Sequence, residues 1–410
     1  MTDTVDMGSA PETVGTLPTP ESPTTVYVSY SGLVQHRTCP QKWAFKRVDR
    51  LESLVSEDDV PVEREFGSWW HALRAADSAV RGLAKGSLKY VPPEVSLPVN
   101  AEGKVSWARV DTPDKVIALL AEWWSHQPLG IRAVWVERLG EDPVTRIQTM
   151  NLRWGYVHQM DLQFEEPIAV EVHWERELWV DQSTNTRYVL VGITDEVVRD
   201  TKRGIVVARD HKSHKKLGRI TKSDELLDSQ LQLYVWGLTP TLEQWGIGQV
   251  QATAYDRVRM TAPSTPVLTQ AGTLSKSVTD YDAITYRAWV GDGQPFAGRK
   301  KDGSASGIYT LDEAVLARLD TPAVWAGWCH RTLTPVSRHA MRAHLMSAAV
   351  TAADISRTRA QYARDGFASR LFAPHCTWCD YSGLCQAQLT GGPGGDYDLA
   401  SLRLQKRAES

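Results

Sequence analysis

Residues 188–212 constrain the fold more than any other stretch. Tyr188-Val189-Leu190-Val191-Gly192-Ile193-Thr194-Asp195-Glu196-Val197-Val198-Arg199 and Ile205-Val206-Val207-Ala208-Arg209-Asp210-His211-Lys212 are both rich in β-branched residues. The polar turn Asp200-Thr201-Lys202-Arg203-Gly204 separates them, so the pair predicts an antiparallel hairpin. If Asp200 and Ile205 close the turn, opposed positions sum to 405 and Asp195 falls opposite Asp210. Opposed side chains share a face, with Cβ atoms ~4.5–5.5 Å apart. Period two then adds Lys212 to that face.

Two carboxylates this close repel unless a cation sits between them. Carboxylate oxygens beside water suit Mg²⁺ or Mn²⁺. A lysine beside such an ion can orient or deprotonate a water and steady a phosphoryl group. The pattern points to metal-assisted phosphodiester hydrolysis. Two other acid-x-Lys triplets exist, Glu102-Gly103-Lys104 and Asp200-Thr201-Lys202. The first lies in a loop-rich stretch and the second in the turn. A solvated, salt-bridged hairpin end is the competing reading of the third.

Gly192-Ile193-Thr194-Asp195-Glu196-Val197 followed by Asp210-His211-Lys212-Ser213 resembles the paired motifs of the PD-(D/E)XK nucleases of the RecB type. Ser229-Gln230-Leu231-Gln232-Leu233-Tyr234 is similar to the family's helix with Gln and Tyr one turn apart, and Phe66-Gly67-Ser68-Trp69-Trp70-His71 to its helix ending in a metal-binding His. The resemblance implies an α/β (α+β) restriction-endonuclease-like core with a central mixed sheet flanked by helices. It implies His71, Asp195, Asp210 and the His211 backbone carbonyl as metal ligands. Lys212, Gln230 and Tyr234 complete the catalytic set with the two aspartates. Thr194 and Arg209 depart from the pattern, because apolar residues more often precede the two acids. His211 stands where an aromatic or apolar residue is more usual.

The chain has 5 cysteines, too few and too far apart for a disulfide scaffold. Cys376-x2-Cys379-x5-Cys385 is a metal- or cluster-binding spacing that needs a fourth ligand. Cys39-Pro40 together with this trio resembles the iron–sulfur staple of AddB, of the CRISPR-associated Cas-four exonucleases and of related phage exonucleases. The resemblance implies a [4Fe-4S] cluster on Cys39, Cys376, Cys379 and Cys385, in a helical region that joins the two ends of the chain. A Zn²⁺ site using Cys39 or His375 with the trio is the alternative. Cys329 is left over.

The formal charge of −3 excludes a uniformly basic nucleic-acid coat but not a local basic cleft. Lys212, Lys215, Lys216, Arg219 and Lys222 follow the active strand, and Arg299-Lys300-Lys301 forms a second basic group; both are candidate DNA contacts. With 16 Trp against 6 Phe, an indole such as Trp69 or Trp70 is a candidate for stacking on unpaired bases.

The expected organisation is a disordered tail (1–25), then an N-terminal helical region with Cys39 and His71 (26–130). The nuclease core (131–260), a basic insert (261–310), a C-terminal helical and cysteine region (311–390) and a second tail (391–410) follow. Alternation suggests sheet from about Ala133 to Val207, a helix over Ser223–Leu238 ending before Pro240, and only helices over 312–364. No run of ~18 apolar residues or secretory leader is present, which suggests a cytoplasmic protein, in the host cytoplasm if phage-encoded. The functional expectation is a DNA exonuclease of recombination, repair or phage DNA metabolism, acting on ends or single strands. A recombinase or single-strand-binding protein is an expected partner. A non-catalytic DNA-binding accessory protein and a zinc-stapled module of another class are the alternatives.

Overall fold

The computed structural model describes residues 23–53, 60–99, 103–218, 228–267, 274–276, 279–291, 311–391, 397–399, 402 and 404–406. Strand β1 (Thr24–Ser29) leads into α1 (Tyr30–Thr38), whose N-cap Ser29 accepts a hydrogen bond from the Gly32 amide. Cys39 is extended and separates α1 from the helix that follows. Pro40 opens α2 (Pro40–Arg47) at the one helical position where a missing N–H costs nothing.

Then come β2 (Leu51–Ser53), the long α3 (Val62–Ala84), the small hairpin β3 (Glu94–Ser96) and β4 (Lys104–Ser106), and helices α4 (Pro113–Ser125), α5 (Leu129–Leu139) and α6 (Pro143–Leu162). The two last helices correct the expectation of sheet from Ala133. Asp142 caps α6 by accepting from the Val144 and Thr145 amides, with Pro143 at the first turn. Its buried Ile147, Met150, Trp154 and His158 recur at helical spacing.

Sheet begins at β5 (Glu165–Asp181) and continues through β6 (Thr186–Asp200) and β7 (Ile205–His214). After α7 (Ser229–Gln244) come β8 (Ala252–Arg259), α8 (Ala283–Gly291), α9 (Glu313–Leu319), α10 (Pro322–Trp325), β9 (Cys329–Pro335), α11 (Arg338–Asp365), α12 (Ser382–Gly391) and β10 (Leu404–Lys406). Two further expectations change. Pro240 lies inside α7, where burial of Leu238 and Leu242 works against the ~3 kcal/mol that a lost hydrogen bond and a ring clash together cost. Strand β9 interrupts the expected helices; Thr332 and Thr334 suit a sheet edge, and the strand pairs antiparallel with β8.

The six-stranded mixed sheet runs β1-β6-β7-β8-β9, with β5 on the other edge of β6. Strand β1 runs parallel to β6 as far as Ser29↔Val191, while β7 pairs antiparallel from Glu196↔Arg209 to Asp200↔Ile205. Those pairs sum to 405, the register that the turn implies. Because β5 covers one edge of β6, β1 and β7 share the other and part company between residues 192 and 195. The parting opens a cleft in the middle of the sheet. Binding sites in α/β sheets favour such points, where neighbouring strands diverge.

The largest apolar core packs α3 to α6 around Trp69, Trp70, Trp135 and Trp154, and the next packs α7 and α11 on the sheet around Trp174, Leu190, Leu233 and Ile355. Trp69 and Trp70 are fully buried, so neither can stack on a base. Among the described residues, no helix is long and apolar enough to cross a membrane.

Candidate active site

The cleft is built from four elements. One step beyond the last β6–β7 pair stand Asp195 and Asp210, both buried. Asp195 Oδ2 accepts from the His211 amide at 2.7 Å, which bridges the two strands where regular pairing stops. From α3, His71 Nδ1 lies 3.1 Å from the same oxygen. From β7, Lys212 Nζ lies 2.7 Å from Asp210 Oδ2. From α7, Gln230 Nε2 donates to Asp210 Oδ1 at 3.2 Å and to the Tyr234 hydroxyl at 3.0 Å. Asp228 fixes the start of that helix by accepting from the Gln230 amide and, at 2.7 Å, from the Tyr255 hydroxyl on β8.

Glu171 on β5 is a further member that the motif reading missed. Its carboxylate, the Asp195 carboxylate and the His71 ring each offer a ligand atom within 4.8 Å of the others. Its neighbours pair as Val170↔Glu196 and Val172↔Thr194, so the register sets it against Asp195. The backbone there adopts φ 48°, a conformation that costs a non-glycine residue of order ~1–3 kcal/mol and marks sites under functional constraint. An acid within the apolar run Ile168–Val172 was the available signal; the backbone twist had none.

The titration pattern reflects crowded negative charge. Burial, then Asp195 and Asp210, push Glu171 up to about 8. Burial and Asp195 raise Asp210 to about 6 despite Lys212. Burial opposes ionisation of Asp195 as well, but His71 and Lys212 outweigh it and hold Asp195 at about 2. Burial disfavours the His71 cation; the charge and hydrogen bond of Asp195 overcome this and lift it to about 9. Lys212 is likewise held above its usual range, because Asp210 and Asp195 outweigh its burial. Glu171 Oε1 is buried with no hydrogen-bond donor. Two carboxylates and an imidazole, His71, Glu171 and Asp195, with an unsatisfied Glu171 oxygen, are a donor set suited to a divalent cation, and Asp210 stands beside them outside the 4.8 Å group.

A model of the PD-(D/E)XK nuclease superfamily matches residues 27–386. The chain belongs to that superfamily. No curated protein matches the sequence significantly. Members of the superfamily are phosphodiesterase nucleases that use divalent metals such as Mg²⁺ or Mn²⁺; membership implies metal-dependent nuclease activity on DNA, and His71, Glu171 and Asp195 form a candidate metal site.

The departures from the superfamily pattern have a structural partner. Arg209 is buried and binds Glu196 and Glu165, each at 2.7 Å. Arg331 from β9 binds Glu165 at 2.6 Å and Asp256 at 2.7 Å. The His211 ring sits within this network, 3.6 Å from Glu196 and 3.7 Å from Asp256. Thr194 accepts from the Trp174 indole at 3.1 Å. Arg209 is thus matched by acids from β5 and β6 and Thr194 by an indole from β5, so the buried guanidinium is paired rather than stranded, while the His211 ring makes no hydrogen bond there.

Elsewhere in the nuclease, Cys39, Cys376, Cys379 and Cys385 line one cavity of about 160 Å³ together with His375. Cys329 is buried and does not line it; it opens β9, where it pairs with Val258 of β8. Lys215 and Lys216 are exposed just beyond β7. Arg219, Lys222, Arg299, Lys300 and Lys301 lie outside the described residues, as does Glu102. In the turn, Asp200 is bound by Arg203, and Lys202 rests over Phe164, which leaves that acid-x-Lys triplet without a metal-binding role.

Proposed function

We propose that this nuclease is an exonuclease of the RecB type, removing nucleotides from DNA ends or single strands in recombination, repair or phage DNA metabolism. The observation that carries the reading is the convergence of His71, Glu171, Asp195, Asp210 and Lys212 at the parting of β1 and β7. His71, Asp195 and Asp210 would hold Mg²⁺ or Mn²⁺ with the His211 carbonyl, and Glu171, grouped with His71 and Asp195, would join them. The ion supplies Lewis-acid polarisation of the scissile phosphate.

The chain's own groups do the rest. Lys212 stays an ammonium at neutral pH, so it orients the attacking water and offsets charge on the phosphate rather than removing a proton. Gln230 fixes the rotamer of Asp210 and is itself held by Tyr234. The exposed Lys215 and Lys216, with Arg219, Lys222 and Arg299-Lys300-Lys301, contribute sequence-independent phosphate contacts. The protein works in the cytoplasm, beside a recombinase or single-strand-binding protein.

We further propose that Cys39, Cys376, Cys379 and Cys385 carry a [4Fe-4S] cluster that staples α2 to the C-terminal region. A tetrahedral zinc site has sulfurs about 3.8 Å apart, from Zn–S bonds of about 2.3 Å. Among the described residues, no three Cys, His or acidic ligand atoms gather within 4.8 Å except at His71, Glu171 and Asp195. Four thiols spread around a cavity of about 160 Å³ favour the larger iron–sulfur group.

The test is an anaerobic preparation incubated with 5′- and 3′-labelled single- and double-stranded DNA in Mg²⁺, Mn²⁺ or EDTA. Stepwise loss of nucleotides from an end, only with metal, is expected. Cutting of a circular single strand would overturn the exonuclease reading, and no cleavage with either metal would overturn the catalytic one.

A further inference from the structure

A cleft of about 1250 Å³ opens between α2 and the parting of β1 and β7, and Lys212, Gln230 and Tyr234 form its far wall. Its near wall is basic. Lys42 and Lys46 lie one helical turn apart on α2, with Arg47 beside them, and all three line the cleft. None of the three makes an ion pair with a described residue. Two carboxylates, Glu175 and Asp380, also line the cleft, against the four cations Lys42, Lys46, Arg47 and Lys212. Burial and then the charges of Arg47 and Lys42 pull the Lys46 pKa down, and Asp380 offsets this only in part, as expected of crowded cations.

The floor is of another kind. His173 and Ile193 are exposed there, and Gly192 presents bare backbone above the buried Trp174. His173 and Ile193, with Lys212, also line the adjoining cleft that contains His71 and Glu171. The two clefts are therefore one groove with a shared ridge, running from α2 to the metal-binding cluster.

We infer that this groove is the track of a single nucleic-acid strand, with phosphates on Lys42, Lys46 and Arg47 and a base laid on His173 and Ile193. A cationic wall facing a flat, partly apolar floor is how proteins hold unpaired strands without reading sequence. A duplex, with its bases hidden between two backbones, offers the floor nothing. The inference rests on the nuclease reading of the site and names its substrate strand. It also gives the cysteine cavity a role: Cys39 is the N-cap of α2, so whatever holds Cys39 holds the basic wall.

The experiment measures fluorescence anisotropy of a labelled oligo-dT strand and of a blunt duplex of equal length in EDTA, where nothing is cut. The neutral variant Lys42→Gln/Lys46→Gln/Arg47→Gln is compared with the charge-keeping variant Lys42→Arg/Lys46→Arg/Arg47→Lys. Loss of three phosphate contacts lowers the salt slope of single-strand binding by about 2 and weakens binding at 0.1 M salt by about tenfold to a hundredfold. The charge-keeping variant stays close to wild type, which separates lost charge from a lost fold. His173→Ala weakens single-strand binding by at least about fivefold. Unchanged binding in the neutral variant, or equal affinity of wild type for strand and duplex, would overturn the inference. Wild-type cleavage in Mg²⁺ is read separately. Strand binding that needs the basic wall, in a protein that never cleaves, would sustain the track and defeat the catalytic reading; cleavage with no dependence of binding on the wall would do the reverse.

Discussion

Trp174 offers a sharp test of how the site is held together, because two glycines clamp it. A Cβ at Gly237 on α7 would lie 2.2 Å from its Cε3, and one at Gly192 on β6 would lie 2.2 Å from its Cζ2. The ring is buried, donates to Thr194, and meets Tyr234 edge-on at 5.4 Å. Gly237→Ala sets two effects against each other. Helix propensity alone favours alanine by ~0.8–1.0 kcal/mol. Carbon atoms, however, pack at ~3.5–4.0 Å, so the ring or the helix must move by more than ~1 Å. Overpacking of that kind costs ~1–3 kcal/mol, and a backbone-fixed 2.2 Å contact belongs at the top of the range. The net expectation is a loss of about 2 kcal/mol, seen in thermal unfolding as a Tm lower by about 2 °C. Cleavage falls as well, by up to ~100-fold, because a shift of α7 moves Gln230 away from Asp210. In a Trp174→Phe background the smaller ring relieves the clash, so the double variant loses less than the sum of the singles. A Gly237→Ala protein that melts higher and cuts normally would refute the clamp.

Three further outcomes follow from the site and the cysteine cavity. Glu171→Gln weakens Mn²⁺ binding at least about tenfold in calorimetry; unchanged affinity removes Glu171 from the ligand set. The pH dependence has a definite sign. His71 and Glu171 have folded pKa values of about 9 and 8, above their unfolded ones. The metal-free protein therefore loses stability as pH rises from 7 to 9, by up to ~1.4 kcal/mol per group per unit. Metal binding releases protons and strengthens over the same range; urea titrations at both pH values, with and without Mn²⁺, check this, and a metal-free protein more stable at pH 9 would contradict it. Cys39→Ser removes the brown colour and broad absorption near ~400 nm of an anaerobic preparation, whereas a colourless, zinc-loaded wild type would defeat the cluster.

The hairpin was legible because a short turn between two β-branched runs leaves few registers open, and one register sets the carboxylates together. The helical motif around Gln230 and Tyr234 was legible because i,i+4 spacing puts both on one face. Other features were hidden for physical reasons. Alternation over α5 and α6 was misread because Asp142-Pro143, a cap and first turn, outranks it. Strand β9 is a half-buried edge of seven residues, too short to show a period. Arg209 looked like a fault in a buried strand until Glu165, Glu196 and Arg331, far apart in sequence, supplied its partners. Glu171 required both the β5–β6 register and a left-handed backbone, and only the first can be inferred from residue order.

The most direct measurement is cleavage of end-labelled DNA by Lys212→Ala beside wild type, each checked for its absorption spectrum and melting temperature. Lys212 is one-third exposed, so its truncation opens no buried cavity, and the melting temperature reads the cost of leaving the buried Asp210 without its cation. The account predicts cleavage reduced by at least ~100-fold with colour retained. Undiminished metal-dependent cleavage by Lys212→Ala would contradict it.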